Sequence, residues 1–215
     1  MDFIGAFSPA NLNFLLEGFY VTLKIAVISI ILSFIIGGAI GTLRFAKIPI
    51  LSQVLAAGVE TIRNLPLLLI ILFTYFALPE LINMSITSSV IVALTVFESA
   101  MLAEIVRGGL NSIEKGQMEA ARSSGLTYVQ ALRTVVLPQA LRRMVPNLVS
   151  QFISLLKDTS LAVVIALPEL LHHAKIIQAQ QQSYVIPIFI LIALMYFTVN
   201  YALSLLARRL ELKNV

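Results

Sequence analysis

The chain has no cysteine, and only 12% of its 215 residues are charged. The missing cysteine excludes disulfides and thiolate metal sites, and leaves the redox compartment unmarked. The charge is sparse too, since a soluble domain of this length carries roughly twice that share. No Gly-x-x-x-x-Gly-Lys-Ser/Thr stretch occurs, so a phosphate-cradling loop is excluded and any ATP is hydrolysed on another chain. No nucleophile, base and orienting group stand together, which leaves no catalytic residue and no enzyme activity to assign.

What the chain does have is apolar. Hydrophobic residues make up 59% of it, more than one soluble core of this size can hide. Lipid is the solvent that fits, and there each helical span needs about 20 mostly apolar residues. Five apolar segments can be drawn, at about 14–43, 51–78, 87–106, 146–167 and 184–207. The uncharged run 25–43 lies too deep, and lacks the basic start and small-residue cleavage site, to read as a cleavable signal peptide. The expected fold is therefore an all-α integral membrane protein of about five transmembrane helices. It forms one domain over 1–215, with a core at about 18–210. Glu60, Arg63 and Pro66 fall in the second segment and Lys157-Asp158 interrupts the fourth.

The net charge of +4 does not indicate nucleic acid in so apolar a chain; it reports topology. With five spans, Arg44 and Lys47, the cations from Arg107 to Arg143, and Arg208, Arg209 and Lys213 all fall on one side. The other side holds Asp2, Glu17, Glu80 and Glu169, with Lys175 as its clear cation. The positive-inside rule then puts the N-terminus outside and the C-terminus in the cytoplasm. An even number of spans would strand one basic cluster on the wrong side.

The long basic loop, about 108–143, faces the cytoplasm in this arrangement. Gly116 and Gly125 bracket a helix of about two turns, and Gly125 is placed to close it in the left-handed conformation. Glu119 falls in its first half, where negative charge suits the helix dipole, and Ala120 and Ala121 keep its surface small. Thr127 and Gln130 have capping-box spacing for a following helix, and Pro138 is expected to break or kink what comes next. Alone in water so short a helix is marginal, so a partner protein is expected to hold it. The competing reading is an ordinary basic loop between spans.

The spacing Glu119-Ala120-Ala121, then Gly125, then Val135-x-Leu137-Pro138 resembles the EAA loop of ABC-type importer permeases. More of the chain looks like the polar amino-acid subfamily: Ala103-Glu104 to Gly109, Gly116-Gln117, Leu137 to Arg142, and Leu156 to Leu161. Arg63-Asn64-Leu65-Pro66-Leu67-Leu68 matches as well, except that the family usually has a small residue where Asn64 stands. The resemblance covers about 18–210 and implies a type I importer fold in the bacterial cytoplasmic membrane. It also implies two permease subunits, identical or related, two ATPases that bind ATP and Mg, and an external substrate-binding protein. Gln117, Glu119, Ala120, Ala121, Gly125, Leu137 and Pro138 would then form the segment that couples to the ATPase. The wider pattern resembles glutamine, glutamate or aspartate importers of Gram-positive bacteria more than basic amino-acid importers, which remain an alternative.

Ionisable residues within spans are costly and face a cavity or a partner. Lys157, Asp158, Thr159 and Ser160 make a polar notch. Either Lys157 and Asp158 pair internally, or they hold the carboxylate and ammonium of an amino acid. In permeases of similar pattern the Lys-Asp positions approach the substrate pathway. Glu98, followed by Ser99, makes an interhelical hydrogen bond or reads the substrate; a carboxylate there disfavours an anionic side chain. Arg63, Asn64 and Pro66 form a kink facing the cavity, or Arg63 and Glu60 pair near the cytoplasmic end. Glu104 and Arg107 share a helix face and are expected to pair. His172 and His173 with Glu169 and Lys175 form an external polar segment, read as a docking surface for the binding protein rather than a metal site. The substrate-pathway candidates are thus Asp158, Lys157, Glu98, Ser99, Asn64, Pro66 and Thr159. The rival functions are an ion-coupled secondary transporter or channel, which predicts internal repeats, and a membrane anchor for a soluble partner.

Overall fold

The computed structural model describes residues 1–80 and 82–212, so Lys213 of the C-terminal basic cluster lies outside the described residues. The described residues contain helices and no strand. In chain order the α-helices are α1 (Phe3–Ala6), α2 (Pro9–Phe45), α3 (Leu51–Arg63), α4 (Leu67–Phe76) and α5 (Ile86–Asn111). They continue with α6 (Lys115–Ser123), α7 (Tyr128–Ala131), α8 (Leu137–Asp158), α9 (Leu170–Gln180) and α10 (Val185–Leu212). Four continuous helical stretches are long and apolar enough to cross a bilayer: Pro9–Phe45, Ile86–Asn111, Tyr128–Ile165 and Gln182–Arg209. The pair Leu51–Arg63 and Leu67–Phe76 makes a fifth if a broken span is counted as one.

The expected boundaries need three corrections. The second apolar segment is not one helix: it breaks and bends at Asn64–Pro66, where Asn64 caps α3 and Pro66 caps α4. Proline disfavours the α conformation in the residue before it and has no N–H to continue the ladder. The fourth segment does not begin at Pro146, which lies inside α8. Nor does Pro138 break the chain. A π-helical turn, Leu132–Val136, joins α7 to α8, and the Leu137 N–H bonds back to the Leu132 carbonyl. The wide turn absorbs the proline, and the Gln139 side chain supplies a donor to the Val135 carbonyl at 2.9 Å.

The described chain divides into two compact units. The first contains Met1–Ile31, Pro66–Thr95 and Phe152–Leu203. Its core packs Leu15, Leu170, Ala174, Ile177 and Ile188 together, and Ala26 with Leu155 and Leu156. At its start Asp2 caps α1 by accepting from the Gly5 N–H at 2.9 Å. The imidazole of His173 stacks on Phe14 with ring centroids 3.8 Å apart, and its Nδ1 donates to the Phe14 carbonyl at 2.6 Å.

The second unit contains Leu32–Leu65, Val96–Gln151 and residues 204–212. Its α2 residues Gly37 and Gly41, four apart, lie directly on α5. A Cβ at Gly37 would sit 2.7 Å from the Ser99 carbonyl oxygen, and one at Gly41 would sit 2.5 Å from that of Ala103. Small residues at this spacing let two helix backbones approach closely, which is how helices associate where lipid removes the hydrophobic drive. Many large apolar side chains are exposed, among them Ile35, Phe73, Leu194 and Phe197. In water such a surface would aggregate; in a bilayer it is the ordinary outer face.

Candidate functional site

The helix expected between Gly116 and Gly125 exists. It is α6, nine residues from Lys115 to Ser123, and Gly125 beyond it adopts φ +91°. The Leu126 N–H bonds to the Ala121 carbonyl at 3.3 Å and the Gly125 N–H to the Arg122 carbonyl at 3.0 Å. These are the two bonds of a Schellman motif, and the left-handed residue between them favours glycine. Thr127 and Gln130 form the expected capping box: the Gln130 N–H donates to Thr127 Oγ1 at 3.3 Å, and the Thr127 N–H to Gln130 Oε1 at 2.9 Å.

Glu119 differs from its expected place. With the helix starting at Lys115 it is the fifth of nine residues, and the first turn carries no acid. Its charge is directed outward instead, on an exposed face with Gln117 and Ala120, while Ala121 points inward. Pro138 is exposed and Leu137 half-buried. Gln139 Nε2 donates to Gln117 Oε1 at 3.3 Å, and the Arg143 guanidinium bonds the Ser112 carbonyl, so α8 is tied to α6 and to the turn before it. A cavity of about 310 Å³ opens beside α6, lined by Phe45, Lys47, Ile113, Met118, Glu119 and Tyr128, among others. Lys47 there has φ +52°.

Close to this segment is a charge cluster that sequence reading found only in part. Glu104 pairs with Arg107 as expected, accepting from Nε at 3.1 and 3.2 Å and from the terminal nitrogen. It also accepts from Arg44 of α2 at 2.8 Å. The Arg44 side chain is only 9% exposed, so its charge depends on that carboxylate. Glu60 and Arg63 pair at 3.3 Å on the exposed surface of α3, which follows the second of the two readings given for them.

The intramembrane candidates separate. Glu98 is buried in α5 and accepts from Gln151 of α8 at 3.1 Å, an interhelical bond whose partner the sequence did not reveal. Ser99 is buried beside it. Asn64 and Pro66 are exposed at the break in the second segment, where Asn64 Nδ2 donates to the Glu60 carbonyl at 2.7 Å. Lys157 is exposed and Asp158 half-buried at the end of α8. They form no ion pair with each other, against one of the readings offered: adjacent residues on a helix point about 100° apart. From Thr159 to Ile165 the chain winds as a 3-10 helix. Thr159 is fully buried and donates to the Leu156 carbonyl at 2.7 Å, so its hydroxyl is engaged by its own helix.

The residues at the start of α9 hold local structure. Glu169 is fully buried as the N-cap of α9 and accepts from the backbone N–H of Leu171 at 3.0 Å and His172 at 2.7 Å. Burial pushes its carboxyl up, opposed by those backbone donors. Burial and the neighbouring His173 and Lys175 push the His172 imidazole down. No group of three or more His, Cys, Asp or Glu suited to a metal occurs among the described residues.

Residues 29–214 match the model of the family described as binding-protein-dependent transport system inner membrane component. The chain belongs to this family. Its similarity to individual permeases runs the full length. It is 68% identical to the probable glutamine ABC transporter permease protein GlnP of Bacillus subtilis (strain 168), with all of both chains covered. To the probable glutamine ABC transporter permease protein GlnM of the same organism it is 39% identical, covering 94% of this chain and 95% of that one. A crystal structure of an amino acid ABC transporter with histidines superposes with a TM-score of 0.89 at 31% identity, covering 99% of each chain. The permease is thus the membrane-embedded subunit of an ABC importer, and ATP is hydrolysed by separate ATPase subunits. An ATPase and a substrate-binding protein are its general partners.

Proposed function

We propose that this permease carries a polar amino acid, glutamine first, inward across the bacterial cytoplasmic membrane by alternating access. The observation behind the cargo is the full-length 68% identity to a probable glutamine permease; behind the drive, it is the exposed helix α6 closed at Gly125. The N-terminus lies outside and the 108–143 segment inside, as the distribution of Lys and Arg favours. Two permeases, two copies or this chain and a relative, stand side by side, each presenting α6 to one ATPase that holds ATP and Mg. Gln117, Glu119, Ala120 and the exposed Pro138 are the contact surface, while Ala121 and Leu137 seat the helix on the bundle. Closure of the ATPases moves both α6 helices, and the bundles turn from inward-facing to outward-facing.

For the substrate released by the external binding protein, the pathway residues are Asp158, Lys157, Thr159 and Pro66 of the first unit, and Glu98, Ser99 and Asn64 of the second. Asp158 is suited to the substrate ammonium and Lys157 to its carboxylate. A carboxylate at Glu98, held by Gln151, favours a neutral side chain such as glutamine over an anionic one. Uptake in the presence of competing amino acids tests this assignment. Asp158→Ala is expected to lower uptake by about tenfold, since a hydrogen bond to a charged group contributes roughly 1.5–3 kcal/mol. Glu98→Ala is expected to admit glutamate as a better competitor. Unchanged uptake and selectivity in both variants would remove both residues from the pathway.

A further inference from the structure

One face of α2 carries charge deep into the bilayer. Asn13, Glu17, Tyr20 and Lys24 are all exposed, and their spacing, i, i+4, i+7 and i+11, sets them on a single side of the helix. Asn13, Glu17 and Tyr20 line one open concavity. Past Lys24 the same side turns apolar, with Val27 and Ile31 exposed. Among the described residues neither Glu17 nor Lys24 has an ion-pair partner. Helix α10 gives the depth, within the first unit. Leu15 packs with Ile188, while Leu23 and Ala26, on either side of Lys24, pack with Tyr196. The helical rise puts Tyr196 about 17 Å along α10 from Val185. Lys24 therefore lies near the middle of a hydrocarbon layer about 30 Å thick. Leu156 belongs to the same cluster, which sets the adjoining Lys157 and Asp158 at that level too.

A lysine facing lipid at mid-depth is costly, and such residues face a water-filled cavity or a partner. The rest of the face chooses water. A contact with the partner permease would need one counter-charge for Lys24, not a run of polar groups continuing to the outer end of α2. The change to Val27 and Ile31 closes that run at the level of Asp158, where a pathway open to the outside would meet its binding site. We propose that the 13–24 face of α2 lines the outer half of the substrate pathway, and that the Lys24 ammonium at its floor binds the carboxylate of the amino acid together with Lys157. This rests on the reading of Asp158 as a substrate contact.

The chain has no cysteine, so Lys24→Cys carries its single thiol. The test is the affinity of radiolabelled L-glutamine for the permease–ATPase complex in nanodiscs, without binding protein. Lys24→Cys is expected to bind about tenfold more weakly, the size of one hydrogen bond to a charged group. Aminoethyl methanethiosulfonate then restores an ammonium: the thiolate takes the aminoethylthio group, an S–S bond forms and methanesulfinate leaves. Affinity is expected to return to within about twofold of the parent, whereas the neutral methyl methanethiosulfonate restores none. L-Glutamine amide, which lacks the carboxylate, is expected to bind parent and Lys24→Cys alike. Undiminished L-glutamine affinity in Lys24→Cys, rescue by both reagents or by neither, or an equal loss for the amide overturns the assignment. A permease pair that dissociates in Lys24→Cys on size exclusion also overturns it, and gives Lys24 to an ion pair with the partner permease. Asp158→Ala separates the two readings. If it weakens binding while Lys24→Cys does not, only Lys24 leaves the pathway; if neither does, the pathway reading falls as well.

Discussion

A Gly125→Val permease is expected to enter the membrane and keep its spans, yet to lose about nine-tenths of its ATP-coupled transport. The reason is local. At φ +91° glycine adopts a conformation that costs other residues about 1–2 kcal/mol, and a β-branched side chain is a pronounced outlier there. Every 1.4 kcal/mol is about a factor of ten in a population. A Cβ at Gly125 would meet no atom within 4 Å, so the cost comes from the backbone alone and not from a clash. Relieving it breaks the bonds from Leu126 and Gly125 that end α6 and frays the helix the ATPase has to grip. Co-purification with the ATPase and uptake in vesicles measure the two halves of the effect. Asparagine, which visits the left-handed region more readily, should be milder at the same position. Full transport-coupled activity in the valine variant would show that α6 is not the handle.

Glu104→Ala is expected to act on the fold itself. The Arg44 side chain is almost fully covered, and Glu104 is its ion-pair partner at 2.8 Å. Removing Glu104 leaves the covered Arg44 cation without its carboxylate and costs about 1–3 kcal/mol. Arg107, 35% exposed, can turn toward water and contributes less to the loss. The expected result is a large fall in the melting temperature of the detergent-purified permease, followed by size-exclusion chromatography after heating. Arg44→Met in the same chain should recover much of it, because it removes the stranded charge. A Glu104→Ala permease as stable as the parent would mean that Arg44 finds another partner.

The sequence was legible wherever a local rule governs. The approximate place of the spans followed from apolar runs, the α6 ending from glycine at the left-handed position, and the α7 start from the spacing of Thr127 and Gln130. The pairing of Glu104 with Arg107 followed from helix periodicity. Contacts between distant segments were hidden: Arg44 joins Glu104 across 60 residues, and Gln151 meets Glu98 across 53. No periodicity links such positions. Two proline effects differed from expectation, one in degree and one in kind. At Pro66 a kink became a break between two helices, while at Pro138 a π turn absorbed what was expected to be a break. Gly37 and Gly41 carry a four-residue small spacing that was readable and went unused. Thr159 stood in the polar notch by composition, but its burial depends on the 3-10 winding, which no pattern in the chain announces.

ATP-driven uptake in proteoliposomes tests the central claim most directly. The vesicles would contain this permease with its ATPase and, where it forms a mixed pair, the related permease, with purified binding protein added outside. The account predicts that labelled L-glutamine accumulates only when ATP is enclosed and binding protein is present, and that ionophores leave the rate unchanged. Accumulation driven by an ion gradient without ATP, and abolished by ionophores, would contradict it.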